Sequence, residues 1–256
     1  MAVTLYVELG VMGVDPLPER ARPADDHHPA TIACRQVGGA SDLWVRCEIP
    51  MGRGLGFSGA VRVGGALLGV ANGEACDPLE PTIRQRVLGA TAGLEGHADN
   101  VAASLLGGVV GTNGREAARI LPGCELEVVV WIPDFTTSTS ESRTKLPDSV
   151  SFDDAVFNVT HTALLMAALA AGDLNALSAA TADRLHQDIR LARATPSRDA
   201  LGVMRDAGAV CAWLSGSGPT VACFARPGEG QAIADRLPTT GRARLLGIDT
   251  VGARFI

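Results

Sequence analysis

Twelve residues constrain this chain more than any other stretch: Ile49 to Ala60, reading IPMGRGLGFSGA. They follow Leu43–Ile49 (LWVRCEI), whose alternating apolar and polar residues predict a strand, and they run into a small-residue stretch that predicts a helix. Gly52, Gly54 and Gly56 let the backbone turn so that several N–H groups face one point, and a helix start adds a partial positive charge there. A chain without a large basic patch can hold a phosphate group in this way. The loop is not a Walker P-loop, because G-x-x-x-x-G-K-[ST] is absent and the single lysine, Lys145, lies far off in sequence. Nor is it a dinucleotide fingerprint: Gly54, Gly56 and Gly59 fit the three glycine roles, but Gln85 and Arg86 stand where the ribose-binding acid belongs. Taken alone, a glycine turn before a helix serves packing more often than phosphate binding.

Bulk properties narrow the partners. A length of 256 residues allows one large domain or two modest ones, and 46% hydrophobic content argues for a packed interior. Aromatics are only 4%, so aliphatic side chains and alanine must fill that interior. Formal net charge is −6 with no basic run, which argues against nucleic acid as a partner. Nearly all positive charge is arginine, which suits bidentate phosphate or carboxylate binding and equally fits a GC-rich coding sequence. The six cysteines show no C-x-x-C pairing, so reduced thiols are expected and a zinc site is not. No secretory signal and no uninterrupted apolar stretch long enough for a bilayer is visible, so no membrane partner is expected.

Along the chain, Val3–Val11 predicts a strand, Asp15–His28 a surface loop and Ala30–Val37 a short helix. A helix with Ser58 near its N-cap follows the glycine loop, and Gly64, Gly65 and Gly69 within it imply close packing against a sheet. Further helices are expected at Pro81–Leu94 and Ala98–Val110. Composition changes at the β-branched strand Glu127–Ile132, which sets a domain boundary near Cys124, dividing 1–123 from 124–256. Ser151-Phe152-Asp153-Asp154 resembles a capping box opening a long apolar helix to Ala171, which Gly172 and Asp173 break. Helices at Leu174–Ile189 and Ser197–Ala207, strands at Ala209–Leu214 and Thr220–Phe224 joined by SGSGP, a helix at Gly228–Leu237 and a strand at Ala243–Asp249 complete the second half. That half reads as an α+β sandwich with helices on one face.

Four other stretches could carry chemistry. LEGHADNVA (Leu94–Ala102) crowds Glu95, His97, Asp99 and Asn100 ahead of a helix, where a carboxylate can hold magnesium or simply cap. WLSGSGPT (Trp213–Thr220) lets a backbone or ligand approach closely, or forms a tight hairpin turn. Thr136–Pro147 offers Thr139 and Arg143, or is a solvated loop; RLHQDIR (Arg184–Arg190) offers Arg190, or is an exposed helix end.

Five ordered motifs together resemble the homoserine kinase branch of the GHMP kinase superfamily. IPMGRGLGFSGA is similar to that family's P-x-x-R-G-L-G-S-S-A, and LEGHADNVA to its E-G-H-x-D-N-V-A. STSESRTKLPDSVSFDDAVFN resembles S-T-x-x-A-R-x-x-L-P followed by D-A-x-x-N, LHQDIR resembles L-H-Q-x-x-R, and SGSGPT the small-residue third motif. The resemblance implies a two-domain α+β GHMP kinase fold: a ribosomal-protein-S5-domain-2-like N-terminal domain and a ferredoxin-like C-terminal domain. It implies ATP around Pro50, Met51, Gly52, Arg53, Gly54, Leu55, Gly56, Phe57, Ser58 and Gly59, and Mg2+ at Ser58 and Glu95. Ser58, Glu95 and Arg143 take catalytic roles on this reading. L-homoserine is expected against His97, Asp99, Asn100, Thr139, Arg143, Arg190, Gly216 and Gly218, its carboxylate gripped by the arginines. The implied reaction moves the ATP γ-phosphoryl group to the side-chain hydroxyl of L-homoserine, as in threonine biosynthesis, in a cytoplasmic enzyme for which a homodimer is allowed.

The chain departs from the family pattern twice. A P-A-S-S-A-N-L-G-P-G-F-D segment expected ahead of the part resembling TLYVEL is absent, so either the true start lies upstream of Met1, which is favoured, or the protein is a shortened homologue. Phe57 replaces the first loop serine and Gly59 an alanine, so bulk is expected close to the nucleotide. The rival readings are a non-catalytic homologue that binds nucleotide or amino acid, and a kinase for another small alcohol.

Overall fold

Strand β3 (Leu43–Cys47) shows how local sequence becomes architecture here, because both its edges are taken. The computed structural model describes residues 1–72, 76–135 and 146–256. In it, β3 pairs antiparallel with β1 (Val7–Val11) on one side and with β2 (Arg22–Ala24) on the other. β2 lies inside the segment expected to be loop; it is an edge strand, the position where Pro23 costs no ladder bond. β1 is shorter than the predicted Val3–Val11. The residues before it are drawn elsewhere: the Ala2 N–H donates to Gly108 O, and Asp249 N–H donates to Ala2 O.

Two compact units result. The first comprises Met1–Met51, Gly56–Arg119 and Asp249–Ile256; the second comprises Gly52–Leu55 and Ile120–Ile248.

In the first unit, helices α1 (Pro29–Gln36), α2 (Phe57–Ala71), α3 (Pro81–Glu95) and α4 (Asp99–Leu106) accompany the three-stranded sheet. Their apolar faces meet in a core of Val63, Ala66, Val87, Leu88, Val101 and Leu105. The α2 glycines are contact points. A Cβ at Gly64 would strike Leu9 of β1, as expected for packing on a sheet, but at Gly65 and Gly69 it would strike the α1 backbone at Ala30 and Cys34. α4 stops at Leu106, short of the predicted Val110, because Gly107 and Gly108 both adopt positive φ (69° and 65°). Val109 instead opens strand β4 (Val109–Thr112), which pairs with β5 (Ala117–Ile120).

The second unit is built on β6 (Glu127–Pro133), whose Val128–Ile132 run is buried throughout. β6 lies inside a four-stranded antiparallel sheet with β7 (Cys211–Leu214), β8 (Val221–Ala225) and β9 (Gly241–Leu246), in the order β7-β8-β6-β9. Val129 and Trp131 share one face of β6 and pack with Ala200, Leu201 and Met204 of α8 (Thr195–Asp206) and Ile233 of α9 (Gly230–Ala234). The Trp131 indole N–H donates to Pro238 O at 2.8 Å, so its one polar atom is satisfied despite full burial.

Ser151 caps α5 (Phe152–Ala171) by accepting from Asp154 N–H at 3.0 Å, as the capping-box pattern predicts. α5 is 20 residues long and an 18-residue window of it reaches a mean hydropathy of 1.3, a length and composition that a bilayer span and a core helix share. Asp153, Asp154, Asn158 and His161 interrupt it, so it is not an uninterrupted apolar stretch. The predicted helix Leu174–Ile189 is two helices, α6 (Leu174–Ala180) and α7 (Gln187–Leu191). The break is made by Asp183, whose carboxylate accepts from the N–H groups of Leu185, His186 and Gln187, a local alternative to helical bonding. All six cysteines are free thiols, and burial pushes Cys211 and Cys223 up to about 12.

Candidate functional site

The first turn of α2 is open. Gly56, its N-cap, takes the left-handed conformation (φ 77°, ψ 19°) that a residue with a side chain avoids, and no side chain caps the helix. Among the described residues, the N–H groups of Gly56, Phe57 and Ser58 have no hydrogen-bond acceptor. This is the arrangement of orphan donors and dipole that attracts an anion. Ser58 is not the N-cap expected from sequence: it lies inside the helix, and its hydroxyl donates to Glu95 Oε1.

Glu95 is the last residue of α3, and Gly96 at φ 73° turns the chain away after it. Ser58 and Arg62 stand four residues apart, so they project from the same face of α2. Both reach Glu95, Arg62 through its Nε at 2.5 Å from Oε1. The side chains of Arg62 and Glu95 are only 16% and 10% exposed, so their charges are mutually neutralised away from bulk water. His97 Nε2 lies 3.7 Å from Glu95 Oε2, and His97 Nδ1 lies 2.6 Å from Asp99 Oδ1. Asp99 also accepts from the Asn100 N–H at 2.8 Å. Asn100 abuts the start of α2: a Cβ at Gly59 would be 3.2 Å from its Cβ, so helix α4 closes on α2 where the side chain is missing. The Phe57 side chain packs, partly buried, against the core of Ala30, Cys34, Leu43, Val45 and Val61.

In the second unit, Gly52–Leu55 packs on the SGSGP turn that joins β7 to β8. Ser215 Oγ donates to Gly54 O at 2.8 Å, Thr220 N–H donates to Arg53 O at 3.3 Å, and the Arg53 guanidinium donates to Asp134 O at 2.9 Å. Gly54 has φ 75°, and a Cβ there would sit 2.3 Å from Ser215 O and 2.8 Å from Gly218 O. No other residue type fits that approach without moving backbone.

Arg190 supports the same turn: its Nη1 donates to Gly216 O at 3.1 Å and lies 3.2 Å from His186 Nδ1. Gln187 bridges the strand and the break before α7, accepting from Leu214 N–H at 2.7 Å and donating to Thr181 O at 3.0 Å. Burial holds His186 below its ordinary value, with Arg190 adding to the effect and Asp183 opposing it. For Asp183 burial pushes upward, but the N–H groups of Gln187 and His186 and the Asn158 amide together hold it below its ordinary value.

Within the first unit, then, Ser58, Glu95, His97, Asp99 and Asn100 come together at the start of α2. Within the second, Gly52–Leu55, Arg190, Gly216 and Gly218 come together at the SGSGP turn. Thr139 and Arg143 lie outside the described residues. Sequence reasoning passed over Arg62, although its i, i+4 relation to Ser58 was the available signal. It also passed over Gln187 and Ser215, whose partners are distant in sequence.

A oxygen-only donor set of one carboxylate and one hydroxyl, Glu95 and Ser58, fits a hard divalent cation such as Mg2+. Comparison with known proteins adds ancestry. The model of the GHMP kinases N terminal domain matches residues 28–108, and that of the GHMP kinases C terminal matches residues 165–243. The chain is 42% identical to a homoserine kinase of Moorella thermoacetica, covering 73% of this chain and 64% of that protein. It is 38% identical to one of Desulfitobacterium hafniense, covering 82% and 72%. The match thus spans somewhat under two thirds of the Moorella relative's length. Among solved structures, homoserine kinase from Cytophaga hutchinsonii superposes with a TM-score of 0.76 at 20% identity, over 88% of this chain and 77% of that one. The L. major mevalonate kinase in complex with R-mevalonate gives 0.68 at 19%, over 98% and 89%. These two likenesses establish the α+β fold.

Proposed function

The chain belongs to the GHMP kinase family, and on that premise we propose that it transfers the γ-phosphoryl group of ATP to the side-chain hydroxyl of L-homoserine. The observation that carries the chemistry is the uncapped start of α2 with the Ser58–Glu95 pair in its first turn. The N–H groups of Gly56, Phe57 and Ser58 offer donors to phosphate oxygens, and the helix start adds positive potential. Glu95 and Ser58 would hold Mg2+, which when bound neutralises phosphate charge. Gly52–Leu55 follows the SGSGP backbone closely, which fixes the loop that precedes those donors. Positioning and charge stabilisation supply most of the acceleration in phosphoryl transfer, so no dedicated base is required of the chain.

The substrate assignment rests on relatives named homoserine kinase and on the residues matching that branch's motifs. His97, Asp99 and Asn100 would orient the amino acid's polar groups, with Asp99 fixing the His97 ring through Nδ1. Arg190, with Thr139 and Arg143, would face its carboxylate and hydroxyl, and Gly216 and Gly218 would close over it. The reading carries a cytoplasmic location, where ATP and free amino acid are both present. The test is a coupled ADP-release assay with and without L-homoserine, run on this chain and on a form extended upstream, with 31P NMR of the product. Homoserine-dependent ADP release and an O-phosphoryl resonance are expected. Release that is indifferent to homoserine in both forms overturns the proposal.

A further inference from the structure

Glu95 does not wait for a cation: it already has one. Arg62 Nε lies 2.5 Å from Glu95 Oε1, the same oxygen that accepts from Ser58, and both charged side chains are largely withdrawn from solvent. A carboxylate neutralised in this way attracts a divalent ion far less than a bare one, because the incoming charge meets the guanidinium at a few ångströms in a medium of reduced dielectric. A second observation gives the arrangement a direction. Arg62 Nη1 is buried and has no hydrogen-bond partner among the described residues, so the guanidinium is one acceptor short. An anionic oxygen brought beside α2 would supply it. A metal ion without an anion can only displace Arg62, leaving a buried positive charge unpaired.

We infer that Arg62 is the resident counter-ion of Glu95, and that it makes metal binding conditional on nucleotide: the protein alone holds Mg2+ poorly and takes it together with a polyphosphate. The inference rests on the reading of Glu95 as the metal carboxylate. Arg62 is a positioning residue in this account, acting through Glu95.

The experiment measures Mn2+ binding by electron paramagnetic resonance, with Mn2+ alone and with Mn2+ plus a non-hydrolysable ATP analogue. Arg62→Met should bind Mn2+ alone about tenfold or more tighter than the wild type. Arg62→Lys, which keeps the charge, should stay near wild type, and adding Glu95→Gln to Arg62→Met should remove the gain. A folded Arg62→Met that binds Mn2+ alone no better than wild type overturns the inference. If Arg62→Met fails to fold, the wild-type Arg62 Nε–H resonance decides: it should move with Mg2+ plus the analogue and not with Mg2+ alone. Equal movement in both overturns the inference. The underlying reading fails separately, if Glu95→Gln leaves the affinity for Mn2+ plus analogue unchanged.

Discussion

The start of α2 and the SGSGP turn hold their shapes by opposite means. In the first, five side chains with charge or hydrogen-bonding capacity (Ser58, Arg62, Glu95, His97 and Asp99) are knitted through one carboxylate and one imidazole. In the second, Gly54 lies against the carbonyls of Ser215 and Gly218 with no room for a methyl group, and the contacts are mostly backbone. A cluster of the first kind fails when a charge is left unpaired; one of the second kind fails when an atom is added. The two regions therefore respond to different substitutions, and each of the following outcomes would sharpen or break that contrast.

The largest effect is expected from Glu95→Ala, which strands Arg62 as a buried charge. It should destabilise the fold by about 3–5 kcal/mol in urea melts. The double variant Arg62→Met/Glu95→Gln should recover much of that loss; no recovery would mean that the cluster is not held by charge pairing. Next, Gly54→Ala should cost about 2–4 kcal/mol from overpacking and positive-φ strain combined. A Gly54→Ala protein melting like wild type would show that the turn yields easily. Gln187→Ala leaves the Leu214 N–H without its acceptor and should cost about 1–3 kcal/mol, while glutamate at the same position, which can still accept, should cost less.

Acid should tell on the second unit. A folded His186 that resists protonation binds fewer protons than the unfolded chain below its ordinary value of 6.5, so stability falls as pH drops from there. Asp183, held below its ordinary 3.8, contributes stability that is present above that value and lost as pH falls through its lowered folded-state value. The melting temperature of His186→Gln should therefore decline less steeply than wild type just below pH 6.5. The smallest effect serves as the control for Gly54. A Cβ at Gly89 within α3 meets nothing within 4 Å, so Gly89→Ala should stabilise by about 0.5–1 kcal/mol.

Much of this was legible beforehand. The strand–glycine–helix order around Ile49–Ala60, the β-branched run that became β6, and the Ser151 cap all followed from local patterning, and the ordered motifs carried the family. The structure departs from local patterning where a side chain competes with the backbone or where glycines act in pairs. Asp183 splits one predicted helix into two, and Gly107 with Gly108 ends another early. For the site, Glu95, His97, Asp99 and Asn100 stand within six residues and could be seen together. Arg62 offered only its helical spacing from Ser58, because its meaning depends on a carboxylate 33 positions away.

The sequence by itself determined which segments fold locally and which residues carry chemistry, since caps, periodicity and glycine turns are short-range properties of the chain. Only the tertiary structure decided that Gly54 must be glycine and that Glu95 comes with its own counter-charge. Both depend on what another segment brings within a few ångströms, and steric exclusion and charge pairing at that range are written in no single stretch of sequence.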